Sequence, residues 1–219
     1  MARGREVTIP LEHAQIAATL GLPAAARGLV IFAHGSGSSR FSSRNRAVAE
    51  LLQQHRLATL LIDLLTEEEA VVDERTRQYR FDIPRLAARV GAGIAWAKRE
   101  TALQHVAGLI GLFGASTGAA AALIAAAECP LDVEAVVSRG GRPDLAENAL
   151  PKVKAPTLLI VGADDDACIP LNESAYRGLS CEKKLELVPG ATHLFEEPGT
   201  LRQAADLAAA WFVKHLGGK

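Results

Sequence analysis

Short apolar runs rich in β-branched residues alternate along this chain with longer segments of helical periodicity. Most of these runs lack the apolar/polar alternation of a strand with one face in water, so we expect them to be buried on both faces. This pattern is typical of a mostly parallel central sheet with helices on both faces, the α/β class. The predicted strands are 28–33, 57–62, 106–113, 133–137, 157–161 and 184–188, and the predicted helices are 43–55, 83–99, 116–127, 172–178 and 200–215.

The remaining segments complete the predicted organisation. Residues 6–9 and 15–20 resemble an antiparallel hairpin at a sheet edge, joined around 11–13. The charged stretch 66–82 lacks regular periodicity, and we expect a lid or a partly ordered loop over the site. No repeat, linker or low-complexity tract divides the 219 residues, which predicts a single domain over 1–219.

Composition excludes several classes of protein. The chain has 24 Lys+Arg against 25 Asp+Glu, so we expect neither nucleic acid nor an anionic membrane as a partner. Its first ten residues lack the apolar core of a signal peptide, and no apolar run is long enough to span a bilayer. Cys129, Cys168 and Cys181 form no C-x-x-C pair and no metal-type spacing, which predicts reduced thiols and no metal. We therefore expect a cytoplasmic monomer or homodimer.

The pentapeptide Gly114-Ala115-Ser116-Thr117-Gly118 follows the apolar run 106–113. Gly-x-Ser-x-Gly between a strand and a helix is the signature of a nucleophile elbow, a turn so tight that only small residues flank the serine. The turn exposes the hydroxyl beside the first free N–H groups of the helix. Ser116 is thus the candidate nucleophile, which needs a base to activate it.

An acid and then a histidine follow in the chain order that such a nucleophile requires. The predicted strand 157–161 ends in Gly162-Ala163-Asp164-Asp165-Asp166, and the strand 184–188 leads to His193. Among the aspartates, the spacing favours Asp165 over Asp164, with Asp166 third. Of the six histidines, only His193 combines a small-residue turn with a position after the acid, and we predict it to be the base.

An oxyanion hole is the remaining requirement for acyl transfer. One predicted donor is the backbone N–H of Thr117, directly after the nucleophile. The second lies in the glycine-rich loop after the 28–33 strand, where we favour Ser36 and then Gly37, with His34 supporting the loop.

Four further side chains are candidates for binding substrate. Arg139 and Arg142 follow the 133–137 strand at the carboxyl edge of the sheet, where ligands bind in open α/β folds. They would anchor a substrate carboxylate or phosphate, or else form ion pairs with nearby acids such as Asp144. Tyr79 and Phe195 would line an acyl pocket, or else belong to the core.

With these residues assembled, the chain resembles the α/β-hydrolase superfamily and, within it, the dienelactone-hydrolase-like family. The resemblance covers nearly the whole chain and is carried by 28–37, 111–120, 136–146 and 165–172. It implies that Ser116, Asp165 and His193 take the triad positions, with Thr117 and Ser36 at the oxyanion positions. Dienelactone hydrolases proper use a cysteine nucleophile where this chain has a serine, so a plain carboxylic ester is the expected substrate.

The sequence therefore predicts a serine hydrolase that cleaves small carboxylic esters through an acyl-enzyme, without cofactor or metal. An acyltransferase, thioesterase or perhydrolase would share that intermediate and differ only in the second nucleophile. A non-catalytic binding domain on the same fold is the remaining alternative.

Overall fold

The computed structural model describes residues 4–106 and 108–217. Its eight strands are β1 (Arg5–Pro10), β2 (Gln15–Gly21), β3 (Leu29–Ala33), β4 (Ala58–Ile62), β5 (Ile110–Ala115), β6 (Val133–Arg139), β7 (Thr157–Gly162) and β8 (Lys183–Val188). Its six α-helices are α1 (Ser43–Gln54), α2 (Glu67–Thr76), α3 (Ile83–Ala97), α4 (Thr117–Glu128), α5 (Ile169–Gly178) and α6 (Thr200–His215).

The strands form one sheet in the order β1-β2-β4-β3-β5-β6-β7-β8. Strands β3 to β8 are parallel, and the β1–β2 hairpin adds antiparallel to β4 at one edge. The carboxyl ends of β3, β5, β6, β7 and β8 therefore lie along the same edge of the sheet. Because β3 and β5 are direct neighbours, the loop after β3 lies beside the turn after β5.

Side chains from successive residues of the central strands enter two separate cores. On β3, Leu29 and Ile31 pack on the side of α3 and α4, whereas Val30 and Phe32 pack on the side of α1 and α6. Burying each such side chain contributes about 1.5–3 kcal/mol, so both faces stabilise the sheet. The predicted α/β-hydrolase fold, a mostly parallel sheet with helices on both faces, is confirmed.

Most predicted boundaries lie within two residues of the observed ones, but two elements begin three or four residues away from their predicted start. Strand β5 begins at Ile110 rather than at 106, because a 3₁₀ turn at Thr101–Leu103 and the bends after it precede the strand; residue 107 lies outside the described residues. Helix α5 begins at Ile169 rather than at 172, so Pro170 lies in its first turn, where the missing N–H has no intrahelical partner to lose.

The expectation of an irregular segment over 66–82 is also wrong, because most of that stretch is helix α2. Thr66 caps it: its hydroxyl accepts from the backbone N–H of Glu69, and the Glu69 carboxylate accepts from the backbone N–H of Thr66. Only Asp73 is buried within α2, so the helix lacks the apolar periodicity that would have indicated it. A role as a lid remains a prediction.

None of the helices within residues 4–106 and 108–217 combines the length and apolar character that crossing a bilayer requires.

Candidate active site

Ser116 lies in a sharp turn between β5 and α4. Its backbone has φ 50° and ψ −123°. A positive φ of this kind is sparsely populated and costs a residue with a side chain about 1–3 kcal/mol. Side chains at the two flanking glycines would collide with backbone, at Gly114 with Ala119 and at Gly118 with the carbonyl of Ala33. The Gly-x-Ser-x-Gly sequence is therefore what this turn needs in order to form.

The turn directs the hydroxyl of Ser116 towards a histidine that follows the edge strand of the sheet. Its Oγ atom lies 3.3 Å from Nε2 of His193, which follows β8. The other ring nitrogen, Nδ1, lies 2.8 Å from Oδ2 of Asp165, which follows β7. A continuous Ser–His–Asp contact chain results, of the kind that lets imidazole accept a serine proton while a carboxylate fixes its tautomer.

The structure distinguishes the three adjacent aspartates. Asp165 is 8% exposed and contacts His193, whereas Asp164 and Asp166 are exposed to solvent. The tight turn after β7 causes this difference: the N–H of Asp165 donates to the carbonyl of Gly162, and its own carbonyl accepts from Cys168. Of the aspartates that the sequence left open, it is Asp165 that the fold brings to the histidine.

The predicted oxyanion donors lie together, but one of them is occupied. Thr117 is the first residue of α4, so its backbone N–H has no partner within the helix. The backbone N–H of Ser36 donates to Oγ1 of Thr117 at 2.8 Å. Gly37 is exposed, with a left-handed φ of 70°. For Ser36 to hold an oxyanion, the Thr117 hydroxyl must first rotate away.

His34 supports this loop from beneath. Its Nε2 accepts from the backbone N–H of Leu64 at 3.1 Å, and its Nδ1 lies 2.9 Å from the carbonyl of Gly35. These two contacts require a neutral ring with its proton on Nδ1. Burial is the largest cause that lowers the pKa of His34, opposed by the Gly35 carbonyl and the charge of Asp63. The ring is therefore neutral and stabilises the loop through these two hydrogen bonds.

A cavity of about 100 Å³ opens over Ser116 and His193. Its lining includes the loop after β3 and, from α1 and β6, Arg44, Asn45 and Arg139. A larger cavity of about 480 Å³ shares Gly35 and Ser36 with it and extends towards α2. Ser116 thus lies beside a narrow cavity, and the loop after β3 that borders this cavity also borders a wider space.

Arg139 is the unusual member of that lining. It is 5% exposed, its Nη2 donates to Oδ1 of Asn45 at 3.1 Å, and its Nε has no hydrogen-bond partner among the described residues. It also forms no ion pair with any described carboxylate. Burial, and next the charge of Arg44, lower the pKa of Arg139 to about 10, so the guanidinium stays charged at neutral pH. A buried cation without an anion is costly, which makes it a candidate for receiving one from a ligand.

The other predicted substrate-binding residues are engaged elsewhere. Arg142 forms a two-point ion pair with Asp144, at 2.9 and 2.8 Å, which is the alternative to substrate binding that the sequence left open. Tyr79 stacks against the guanidinium of Arg85. Phe195 is 2% exposed and packs in the α1/α6-side core, with its ring 5.5 Å from the Arg139 guanidinium. Neither aromatic residue lines the cavity over Ser116.

Two features near the site escaped sequence reasoning. Asn45 is buried on α1, on the same face as Val48, Ala49 and Leu52, and accepts a hydrogen bond from Arg139; a polar residue within that apolar face was the signal that could have indicated it. Cys168 lies with its Sγ 3.5 Å from Nδ1 of His193, although 25 residues separate them and no local motif joins them.

The chain has a mostly parallel sheet, a serine in the turn between a strand and a helix, and an acid and a histidine after later strands. These features together place it among the α/β hydrolases. More narrowly, the chain belongs to the dienelactone hydrolase family, whose model matches residues 16–214. A solved structure named dienelactone hydrolase from Anabaena variabilis is 54% identical, with a TM-score of 0.94 over 97% of this chain and 99% of that one.

More distant structures share the fold. Est1E from Butyrivibrio proteoclasticus, solved with ferulic acid, is 17% identical with a TM-score of 0.81, covering 97% of this chain and 100% of its own. Among curated proteins, a putative phosphoribosyl transferase from Mycobacterium tuberculosis is 51% identical over 216 residues. That match covers 99% of this chain but only 47% of the relative, so the chain spans about half the length of that protein.

Proposed function

We propose that this chain is a serine hydrolase that cleaves small carboxylic esters through an acyl-enzyme intermediate. The observation that carries the proposal is the contact chain from Ser116 Oγ to His193 Nε2, and from His193 Nδ1 to Asp165, at a strained elbow. Family membership and the esterases among its structural neighbours support a hydrolase acting on esters. The phosphoribosyl transferase name belongs to proteins more than half of whose length has no counterpart here, so it carries no weight in the proposal.

In the first half-reaction, Ser116 Oγ attacks the ester carbonyl carbon while Nε2 of His193 accepts the hydroxyl proton. Asp165 stabilises the resulting imidazolium through Nδ1. The negative charge that develops on the carbonyl oxygen is held by the backbone N–H of Thr117 and, once the threonine hydroxyl has turned away, of Ser36. His193 then returns its proton to the leaving alkoxide, and the acyl group remains on Ser116.

In the second half-reaction, a water molecule takes the place of the alcohol. Nε2 of His193 accepts a proton from the water as its oxygen attacks the acyl carbon, and the same proton returns to Ser116 Oγ as the bond breaks. A carboxylic acid and free enzyme result. Each proton that His193 accepts is given back within its half-reaction, so the cycle needs no metal or cofactor.

Arg139 supports a narrower proposal about the substrate. Its buried charge lines the cavity beside Ser116 and has Asn45, a neutral amide, as its hydrogen-bond partner. A carboxylate or phosphate on the substrate would supply the missing countercharge, and a charge-assisted bond of this kind is worth about 1.5–3 kcal/mol. We therefore propose esters that carry an anionic group on the part that enters this cavity. Arg142 is unsuited to this role, because Asp144 already pairs with it.

Hydrolysis of short p-nitrophenyl esters tests the reaction itself. We expect turnover by the unmodified protein and background rates for Ser116→Ala. Ser38→Ala is the matched control, since Ser38 lines the same cavity but lies outside the contact chain. Loss of activity in both variants, or in neither, would contradict the assignment of Ser116.

A further inference from the structure

The thiol of Cys168 lies against the pair formed by His193 and Asp165. Its Sγ is 3.5 Å from Nδ1 of His193, and that nitrogen is 2.8 Å from Oδ2 of Asp165. One ligand-type atom from each of the three residues lies within 4.8 Å of the others. Within residues 4–106 and 108–217, no other group of three His, Cys, Asp or Glu side chains is gathered in this way.

Two separations among these atoms lie within about 0.5 Å of those in a tetrahedral zinc site. With Zn–S near 2.3 Å and Zn–N near 2.0 Å, tetrahedral sulfur and nitrogen ligands lie about 3.5 Å apart, the separation observed here. Nitrogen and oxygen ligands lie about 3.3 Å apart, so His193 and Asp165 need to open by only about 0.5 Å. Thiolate, imidazole and carboxylate are the three ligand types that zinc prefers in proteins.

The proposed ester hydrolysis leaves the Cys168 thiol unused. The side chain is almost fully buried, and burial, followed by the neighbouring carboxylate of Asp165, raises its pKa to about 11. Such a thiol is a poor nucleophile and a poor target for oxidants. A divalent cation changes this, because coordination deprotonates a thiol outright. The nearby cation Arg142 offers little opposition, since Asp144 neutralises it.

We propose that Asp165, Cys168 and His193 form an inhibitory site for a thiophilic divalent cation, with zinc as the first candidate. Zinc bonds to Sγ, Nδ1 and a carboxylate oxygen, and a water molecule takes the fourth position. The thiol proton of Cys168 leaves to solvent. The imidazole keeps a single proton, which moves from Nδ1 to Nε2, so no oxidation or reduction takes place.

This tautomer change is what inhibits. With its proton on Nε2, His193 has no lone pair to accept the proton of Ser116, and Asp165 is no longer bonded to an Nδ1–H. Inhibition in this form rests on the proposed hydrolase function. Metal binding does not, and the two can be measured separately.

Cobalt(II) tests binding without reference to activity. Titrating the protein with Co²⁺ is expected to give the ultraviolet charge-transfer band of a cobalt thiolate together with the visible bands of a tetrahedral site. The band should persist in the double variant Cys129→Ala/Cys181→Ala, which removes both other thiols. It should be lost in Cys168→Ala and in Cys168→Ser, the second of which preserves volume should the first fail to fold. A band equal in all variants, or none in the unmodified protein, overturns the proposal.

Zinc titration of ester hydrolysis tests the inhibition. We expect a loss of rate that EDTA reverses in the unmodified protein and in the double variant. In Cys168→Ala the inhibition constant, measured against that variant's own metal-free rate, should rise by about 10-fold or more. Zinc inhibition of equal strength in Cys168→Ala contradicts the site. A cobalt band without any ester hydrolysis would refute the proposed function alone, whereas hydrolysis without the band would refute the metal site alone.

Discussion

The backbone N–H of Ser36 donates a 2.8 Å hydrogen bond to the side-chain hydroxyl of Thr117. Thr117 therefore occupies the N–H group that the proposed reaction needs as its second oxyanion donor. Thr117 is 5% exposed, and its hydroxyl has to release the Ser36 N–H before an oxyanion can accept from that N–H. Under the proposed mechanism, this hydrogen bond has to break in each catalytic cycle before the Ser36 N–H can hold an oxyanion.

Replacing that hydroxyl should therefore raise activity. A net hydrogen bond is worth about 0.5–1.5 kcal/mol, so Thr117→Val is expected to increase kcat/KM for a p-nitrophenyl ester by up to about 10-fold. It should also lower the free energy of unfolding by about 1 kcal/mol, because Ser36 loses its acceptor. Thr117→Ser, which keeps the hydroxyl, is the control. A fall in kcat in the valine variant but not in the serine variant would mean that the hydroxyl takes part in the reaction.

Neutralising the buried carboxylate should cost far more than neutralising its exposed neighbour. Asp165→Asn leaves His193 without the acceptor that fixes its tautomer, so kcat should fall by about 10³- to 10⁴-fold. Asp164→Asn changes an exposed side chain one residue away and should alter kcat by less than about 2-fold. Steady-state kinetics on the two purified variants decides the point. Comparable losses in both would refute the role given to Asp165.

The charge on Arg139 should matter only for anionic substrates. Arg139→Gln is expected to lower kcat/KM for p-nitrophenyl hemisuccinate by about 10- to 100-fold, since one charge-assisted bond is lost. The rate with neutral p-nitrophenyl acetate should change little. Arg142→Gln is the matched control, because Asp144 already holds that guanidinium. If both esters lose activity equally in Arg139→Gln, the residue supports the structure and does not select substrate.

Stability should fall as the pH falls through the range in which free histidine titrates. Burial lowers the pKa of His34 below its ordinary value of 6.5, so between those two values the unfolded chain binds a proton that the folded chain does not. The contribution is therefore fully present above pH 6.5 and lost on acidification. His215, whose pKa burial also lowers, acts in the same direction.

Urea unfolding at pH 8 and pH 5.5 measures this effect. His34→Asn cannot titrate, so its stability should drop less between the two pH values than that of the unmodified protein, whatever its absolute stability. An equal drop in both would show that the titrating groups lie elsewhere.

The fold and the order of the site residues could be predicted because both rest on local signals. Apolar runs mark strands buried on both faces, and the elbow at Ser116 needs two glycines that can be recognised by eye. The acid and the histidine then follow at the ends of later strands, since parallel strands present their carboxyl ends to the same edge.

What the sequence could not supply depends on contacts between distant residues. Spacing favoured Asp165 over Asp164, but which carboxylate meets His193 depends on the geometry of one turn, because adjacent identical side chains differ only in direction. Helix α2 was missed because it buries only Asp73. The signal that could have found it was the Thr66–Glu69 capping box. The approach of Cys168 to His193 has no sequence signal at all, since a fold and not a motif brings them together.

The central claim is that Ser116 is a nucleophile activated by His193, and covalent labelling tests it most directly. The folded protein is treated with a fluorophosphonate, and its intact mass and modified peptide are measured. We predict one adduct per chain, located on Ser116, absent from Ser116→Ala and present at the unmodified level in Ser38→Ala. A folded protein that fails to react, or that carries its adduct on another residue, would contradict the account.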